Sequence, residues 1–212
     1  MARVETIIQN FELEVNDITE LSTAEELMIL NRIYYRICQA PFEFLKKTAT
    51  GSILTDSTSS YIALPSDFQY FYENAGYTEN NIEYQGNVKP KVIFVGTTLN
   101  PYKVINFSDR RQYKDQDNYA YIDYADNKVR FTKTPSATTY EFDYIKIPTT
   151  LIAGADPILP ERFDDLIVYG MAGENEVLQR SDKARSYRKE YIDRYNSRTS
   201  DVKWWNSQLI NY

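Results

Sequence analysis

Apolar residues in the first fifty positions recur at helical spacing. Val4, Ile7, Ile8, Phe11 and Val15 share one face and predict a first amphipathic helix. Ser22 followed by Glu25 has the form of a capping box, and Glu25 and Glu26 suit the positive end of a helix dipole. Leu27, Leu30, Ile33, Tyr34 and Ile37 then give a second apolar face, which Pro41 interrupts. From Ile53 to about Pro148 the period changes to alternation. The runs VKPKVIFVG, PYKVINF, NYAYIDY, NKVRFTKTP and TYEFDYIKIP are short, aromatic and β-branched, and predict an antiparallel sheet curled into a sandwich or barrel. Ala125-Asp126-Asn127 and Ser136-Ala137-Thr138 suit hairpin turns, and Ser108 suits the N-cap of one helical turn reaching Tyr113.

After Ala153-Gly154-Ala155-Asp156-Pro157 the helical period returns. Pro160 suits a first helical position, ahead of Phe163, Leu166, Ile167, Gly170, Met171, Val177 and Leu178. Farther on, Tyr187, Tyr191 and Tyr195 form one stripe, with Glu190 placed to pair with Arg194. The last segment, SDVKWWNSQLINY, has no helical period. The expected fold class is α+β: a helical bundle formed by the N- and C-terminal segments, an inserted antiparallel β-sandwich-like lobe, and an extended C-terminal tail. The expected boundaries within one domain are 1–50 helical, 51–150 β-rich, 151–198 helical and 199–212 extended.

The sequence Leu-Pro-x-x-Phe occurs twice, at Leu64–Phe68 and Leu159–Phe163. In each, an aliphatic anchor, a rigid turn and an aromatic anchor follow one another, so the pair reads as shared local chemistry at the entry to and exit from the β lobe.

Composition narrows the chemistry. The 212 residues suffice to bury roughly 70% of the unfolded surface, so no metal or disulfide staple is needed. The single cysteine, Cys38, lies among Ile33, Ile37 and Phe42 and reads as a buried structural thiol. No run approaches the ~18 apolar residues of a membrane span, and acidic residues break up any signal-like stretch at the N-terminus, so a soluble chain without an address is expected. A net charge of −6 argues against general nucleic-acid binding. The absence of histidine excludes Ser-His-Asp, Cys-His and HExxH chemistry. Asp115, Asp117, Asp123 and Asp126 lack the glycine and terminal glutamate of a calcium loop and read as solvated strand ends. No catalytic residue, cofactor or metal is expected. The rival reading is a carboxylate-dependent hydrolase of cell-wall glycan or nucleic acid, which needs two acids across a cleft.

Nineteen tyrosines and two tryptophans point instead to protein interfaces, or to a β-rich fold. Between 180 and 198 seven basic residues face three acidic ones, a local balance of +4 that leaves −10 for the rest. With the tyrosine stripe beside it, this stretch reads as a contact with an acidic protein partner. The expected contact residues are Arg180, Lys183, Arg185, Tyr187, Arg188, Tyr191, Arg194, Tyr195 and Arg198, joined by Trp204 and Trp205. The two tryptophans either dock back on their own domain or anchor a neighbouring subunit or partner.

The order RICQAPFEFLKK, SYIALPSDFQYF, KVINFSDRRQYK, YAYIDYADNKVRFTKTP, YEFDYIKIP, DPILPERFDDLIVYGMA resembles the head–tail connector adaptors of tailed bacteriophages, the family of podovirus tail tubular and portal-adaptor proteins. YIALPSDF and D-P-x-L-P-x-x-F-x-D-L, read in Asp156 to Leu166, carry most of the likeness, which spans roughly residues 20 to 180. The resemblance implies a structural virion protein at the head–tail interface, assembled in the host cytoplasm. It further implies a homo-oligomeric ring, typically dodecameric, between the portal protein and a tail or nozzle protein. DNA would pass through without sequence-specific binding, and no membrane is involved. It also implies that the basic stretch from Arg180 to Arg198 and Trp204-Trp205 dock on the portal. A related tail-completion ring or nozzle component shares most of these features.

Overall fold

A computed structural model of the chain describes residues 3–15, 21–40, 42–72, 91–97, 100–178 and 183–209; within these, 176–178, 184 and 198–209 are described as backbone only. Two compact units emerge, one from Met1–Phe44 with Ile147–Tyr212 and the other from Leu45–Lys146.

The first unit is helical: α1 (Arg3–Val15), α2 (Thr23–Ile37), α3 (Asp164–Leu178) and α4 (Ala184–Leu209). The expected face of α1 is buried through Val4, Ile7, Ile8 and Phe11. The capping box of α2 forms in both directions, with the Ser22 N–H donating to the Glu25 carboxylate at 2.8 Å. Its core residues are Ile29, Leu30, Ile33, Tyr34 and Ile37. Cys38 ends the helix fully buried, and burial pushes its thiol up to about 12, as an inert structural cysteine requires. Pro41, expected as the helix stop, lies outside the described residues.

The chain entering α3 is held from both sides. The side-chain amide of Asn31 donates to the Leu151 carbonyl at 2.9 Å while its oxygen accepts from the Leu151 N–H at 2.8 Å. Arg3 donates to the Leu159 carbonyl at 2.7 Å and to Asp164 at 2.9 Å, tying the start of α1 to the start of α3. Leu159 and Phe163 are buried, and Phe163 meets Phe42 edge-on with centroids 5.3 Å apart. Pro160 precedes a short 3-10 turn, Glu161–Phe163, which runs straight into α3. The first copy of the motif repeats this bond: Phe68 N–H donates to the Pro65 carbonyl at 3.0 Å, as Phe163 N–H does to the Pro160 carbonyl at 2.9 Å.

The stretch after residue 198, expected to be extended, continues α4 to Leu209; residues 210–212 lie outside the described residues. Residues 199–209 hold no Gly or Pro, and an existing helix propagates at one backbone bond per residue without needing an apolar period.

Among the described residues the second unit is one sheet of nine strands: β1 (Lys46–Ser52), β2 (Leu54–Thr55), β3 (Ser60–Ala63), β4 (Phe68–Phe71), β5 (Val92–Val95), β6 (Asn100–Ile105), β7 (Tyr119–Asp123), β8 (Lys128–Phe131) and β9 (Thr139–Lys146). The order is β1-β9-β5-β6-β7-β8-β3-β2, with β4 pairing with part of β9. Only Ile53 separates β1 from β2, so one stretch of chain lies at both ends of this order and the sheet nearly closes. It is therefore a single curled sheet, not two facing ones. Pairing is antiparallel except between β6 and β7, which run parallel because the 3-10 turn Phe107–Arg111 and the loop after it carry the chain back. Ser108 lies inside that turn, whose cap position is Asn106.

Ala125-Asp126-Asn127 falls in the β7–β8 hairpin loop, but Ser136-Ala137-Thr138 joins β8 to β9, which are not neighbours. Strand β1, Lys-Lys-Thr-Ala-Thr-Gly-Ser, was hidden from periodicity because nearly every side chain is exposed. Its strand character comes from its backbone ladder with β9, from Lys46 opposite Ile145 to Ser52 opposite Thr139. Ile62, Phe71, Ile93, Val95, Phe131, Phe142 and Tyr144 fill the interior.

Candidate interaction surface

Residues expected to touch a partner separate into two faces of α4. At 100° per residue, Tyr187, Tyr191 and Arg194 turn towards α1 and α3, while Arg188 and Ile192 lie on the flank towards α2. The contacts follow that geometry. The Tyr187 hydroxyl donates to the Glu14 carbonyl of α1 at 3.1 Å, and its ring lies 6.3 Å from that of Tyr169. Arg194 donates to Glu190 at 2.7 Å, the expected pair, and also binds Asp165 while its guanidinium covers the Tyr169 ring at 4.2 Å. Tyr191 packs against α3 at Gly170 and stacks on Tyr195 with centroids 6.1 Å apart. Burial pushes the Tyr191 hydroxyl up to about 12, and that oxygen has no hydrogen-bond partner among the described residues.

The aromatic stripe is therefore largely the seam between α4 and the rest of its unit. Lys183, Arg185 and Arg188 remain exposed. Arg180 lies outside the described residues; Arg198, Trp204 and Trp205 lie on the helical backbone of α4, where side chains are not described. Other tyrosines divide similarly: Tyr34, Tyr102 and Tyr144 are core residues, whereas Tyr124 is 76% exposed. The richness in tyrosine thus serves packing as well as surface.

A groove of about 290 Å³ follows the α2 flank of α4. Gly170 and Gly173 of α3 form its floor; Arg36, Glu174, Arg188, Tyr191 and Ile192 line it. Glu174 binds Arg36 at 3.1 Å and Arg32 at 3.4 Å. Sequence reading missed Arg36, Glu174 and Ile192, because they come from three helices and share no local pattern. Their one signal was the pair of glycines, Gly170 and Gly173, inside an otherwise apolar helix.

Asp56, Asp117, Asp123 and Asp126 of the β lobe are paired with basic side chains. Arg130, buried among strands, donates to Asp123 and Asp56 at 3.0 Å each and also binds Asp126. Asp117 pairs with Lys133 at 2.9 Å. No group of acidic or thiol residues suited to a metal ion occurs among the described residues. Among the described residues the acid most removed from water, Glu26, is hydrogen-bonded to Glu12 and does not line the groove beside α4.

Against that geometry, a family model describing the SU10 adaptor protein matches residues 2–210. The chain belongs to the SU10 adaptor family. This is a family of phage head–tail adaptors, structural components of the virion, and the match covers more of the chain than the motif order between residues 20 and 180. A comparison with curated proteins found no match. Among the described residues of the adaptor, no helix is long and apolar enough to cross a membrane.

Proposed function

We propose that this adaptor forms a ring, of twelve copies as in the family resemblance, that joins the portal protein to a tail or nozzle protein and lets DNA pass. The observation that carries the reading is the family match over residues 2–210. The exposed basic residues Lys183 and Arg185, with Arg198 and Trp204-Trp205 farther along the same helix, are the proposed portal contacts. A rigid helix suits that role, since it holds cationic and aromatic groups in fixed register for an acidic partner surface. The acidic balance of the remaining chain suits a channel that passes DNA without gripping it. Assembly would take place in the host cytoplasm.

The test is native mass measurement of the purified chain with the portal of the same phage. The expected result is a complex carrying a whole ring of adaptors. A chain lacking residues 200–212 should keep its thermal midpoint but lose at least ~90% of portal attachment, since hot-spot aromatics dominate such interfaces. Loss of the midpoint with attachment unchanged would instead place the tryptophans in the fold of their own subunit. Persistent failure of the intact chain to load on the portal would sink the reading.

A further inference from the structure

The groove between α2 and α4 has features that its own subunit leaves unused. Arg32 and Arg36 are balanced by Glu174, but Arg188 has no ion-pair partner among the described residues. The buried hydroxyl of Tyr191 lacks a hydrogen-bond partner, and Ile192 is 52% exposed on the rim. A Cβ added to Gly173 would already be in ordinary contact with Arg188 at 3.5 Å, so α3 and α4 pack closely beneath the groove and its free apolar surface is the rim at Ile192. The groove therefore presents positive charge beside an apolar wall. Its natural complement is an aliphatic side chain next to a carboxylate.

The same helical unit displays that complement on the other flank of α4. Near the C-terminal end of α1, Leu13 is 72% exposed, and Glu14 beside it is exposed with no side-chain partner among the described residues. The Tyr187 hydroxyl bond to the Glu14 carbonyl fixes this corner against α4. Tyr187 faces α1 and Arg194 faces α3, whereas Arg188 and Ile192 lie on the flank towards α2, so corner and groove lie on different flanks of one helix. Two complementary patches on different sides of a subunit form a head-to-tail contact, which closes into a ring when the rotation between copies allows it.

We propose that Leu13 and Glu14 of one copy seat in the Arg36–Arg188–Ile192 groove of the next copy, as the contact between neighbours in the ring. This rests on the ring reading above. Leu13 packs against Ile192 on the rim, and the Glu14 carboxylate meets the Arg188 guanidinium.

The experiment uses full-length chains and reads assembly by native mass spectrometry, with and without the portal. Both target side chains are exposed, so Arg188→Glu and Glu14→Arg should fold, which circular dichroism verifies. Each variant alone places like charges across the contact and should need at least ~10-fold more protein to assemble than the wild type. An equimolar mixture of the two restores opposite charges at every contact, so it should assemble as alternating rings with even copy numbers. If the single variants assemble as the wild type does, or the mixture assembles no better than either alone, the inference is overturned and the ring reading stands. Normal rings of Arg188→Glu that no longer load on the portal would assign the groove to the portal and also overturn it. A wild-type chain that stays monomeric even with the portal overturns both.

Discussion

Gly170 and Gly173 sit nearly one turn apart on α3 and have different neighbours. A Cβ at Gly170 would come within 2.6 Å of the Ile33 side chain and 3.0 Å of the Tyr191 ring, so α2, α3 and α4 would have to separate. Gly170→Ala is expected to cost ~2 kcal/mol, as overpacking a tight core does, read as a lower denaturant midpoint with unchanged slope. Gly173→Ala meets only ordinary contact distances and should gain up to ~1 kcal/mol of helix propensity. Finding both variants equally destabilised would contradict this account. Glu26 is a second test at this scale. Its carboxyl is pushed up to about 7 by burial, then by the charge of Glu12 and the hydrogen bond to it. The folded state therefore binds a proton that the unfolded state, titrating near 4.5, releases. Stability must fall as pH rises from about 4.5 through about 7, where the folded chain holds more protons. Glu26→Gln should remove this slope and raise stability at pH 8 by ~1 kcal/mol or more, measured by thermal melts across that range.

Among the strands, Arg130 links three segments that would otherwise repel one another. It reaches Asp56 after β2, Asp123 at the end of β7 and Asp126 in the following hairpin loop, while Lys128 also pairs with Asp56 at 3.1 Å. Arg130→Met keeps the apolar stem but leaves the three carboxylates short of their common cation. Because Asp126 is half exposed, the expected loss is ~2 kcal/mol rather than the full penalty of a buried charge, and it should shrink when salt rises. Denaturant titrations at low and high salt measure it. Both helices of the N-terminal part were legible because periodicity and the Ser22–Glu25 cap act locally. The return to helix at Pro160 was legible for the same reason. Strand β1 and the parallel β6–β7 pair were not, since each is decided by a partner strand distant in sequence. The surface was half legible. Charge on the 180–198 stretch was plain, but only tertiary packing shows that Tyr191 and Arg194 turn inwards while Arg188 turns out.

On the scale of the whole molecule, each unit has its own core and a different connection to the sequence. The helical unit draws α1 and α2 from one end of the chain and α3 and α4 from the other, with Arg3 and Asn31 fastening the two halves. The β unit is continuous, and its first and last strands are mutual partners, Lys46 lying opposite Ile145. That arrangement fixes a schedule for synthesis. When α1 and α2 leave the ribosome, α3, the helix against which they pack, has not yet been made. At ~5–20 residues per second the intervening lobe takes roughly 5 to 20 s to translate, and it is complete only when β9 pairs with β1. Throughout that interval Phe11, Leu30 and Ile33 have no core to enter, so the nascent chain carries a sticky N-terminal segment beside a lobe about to close. The interruption that separates the two halves of the helical unit thus makes its early helices the natural clients of a chaperone at the ribosome exit.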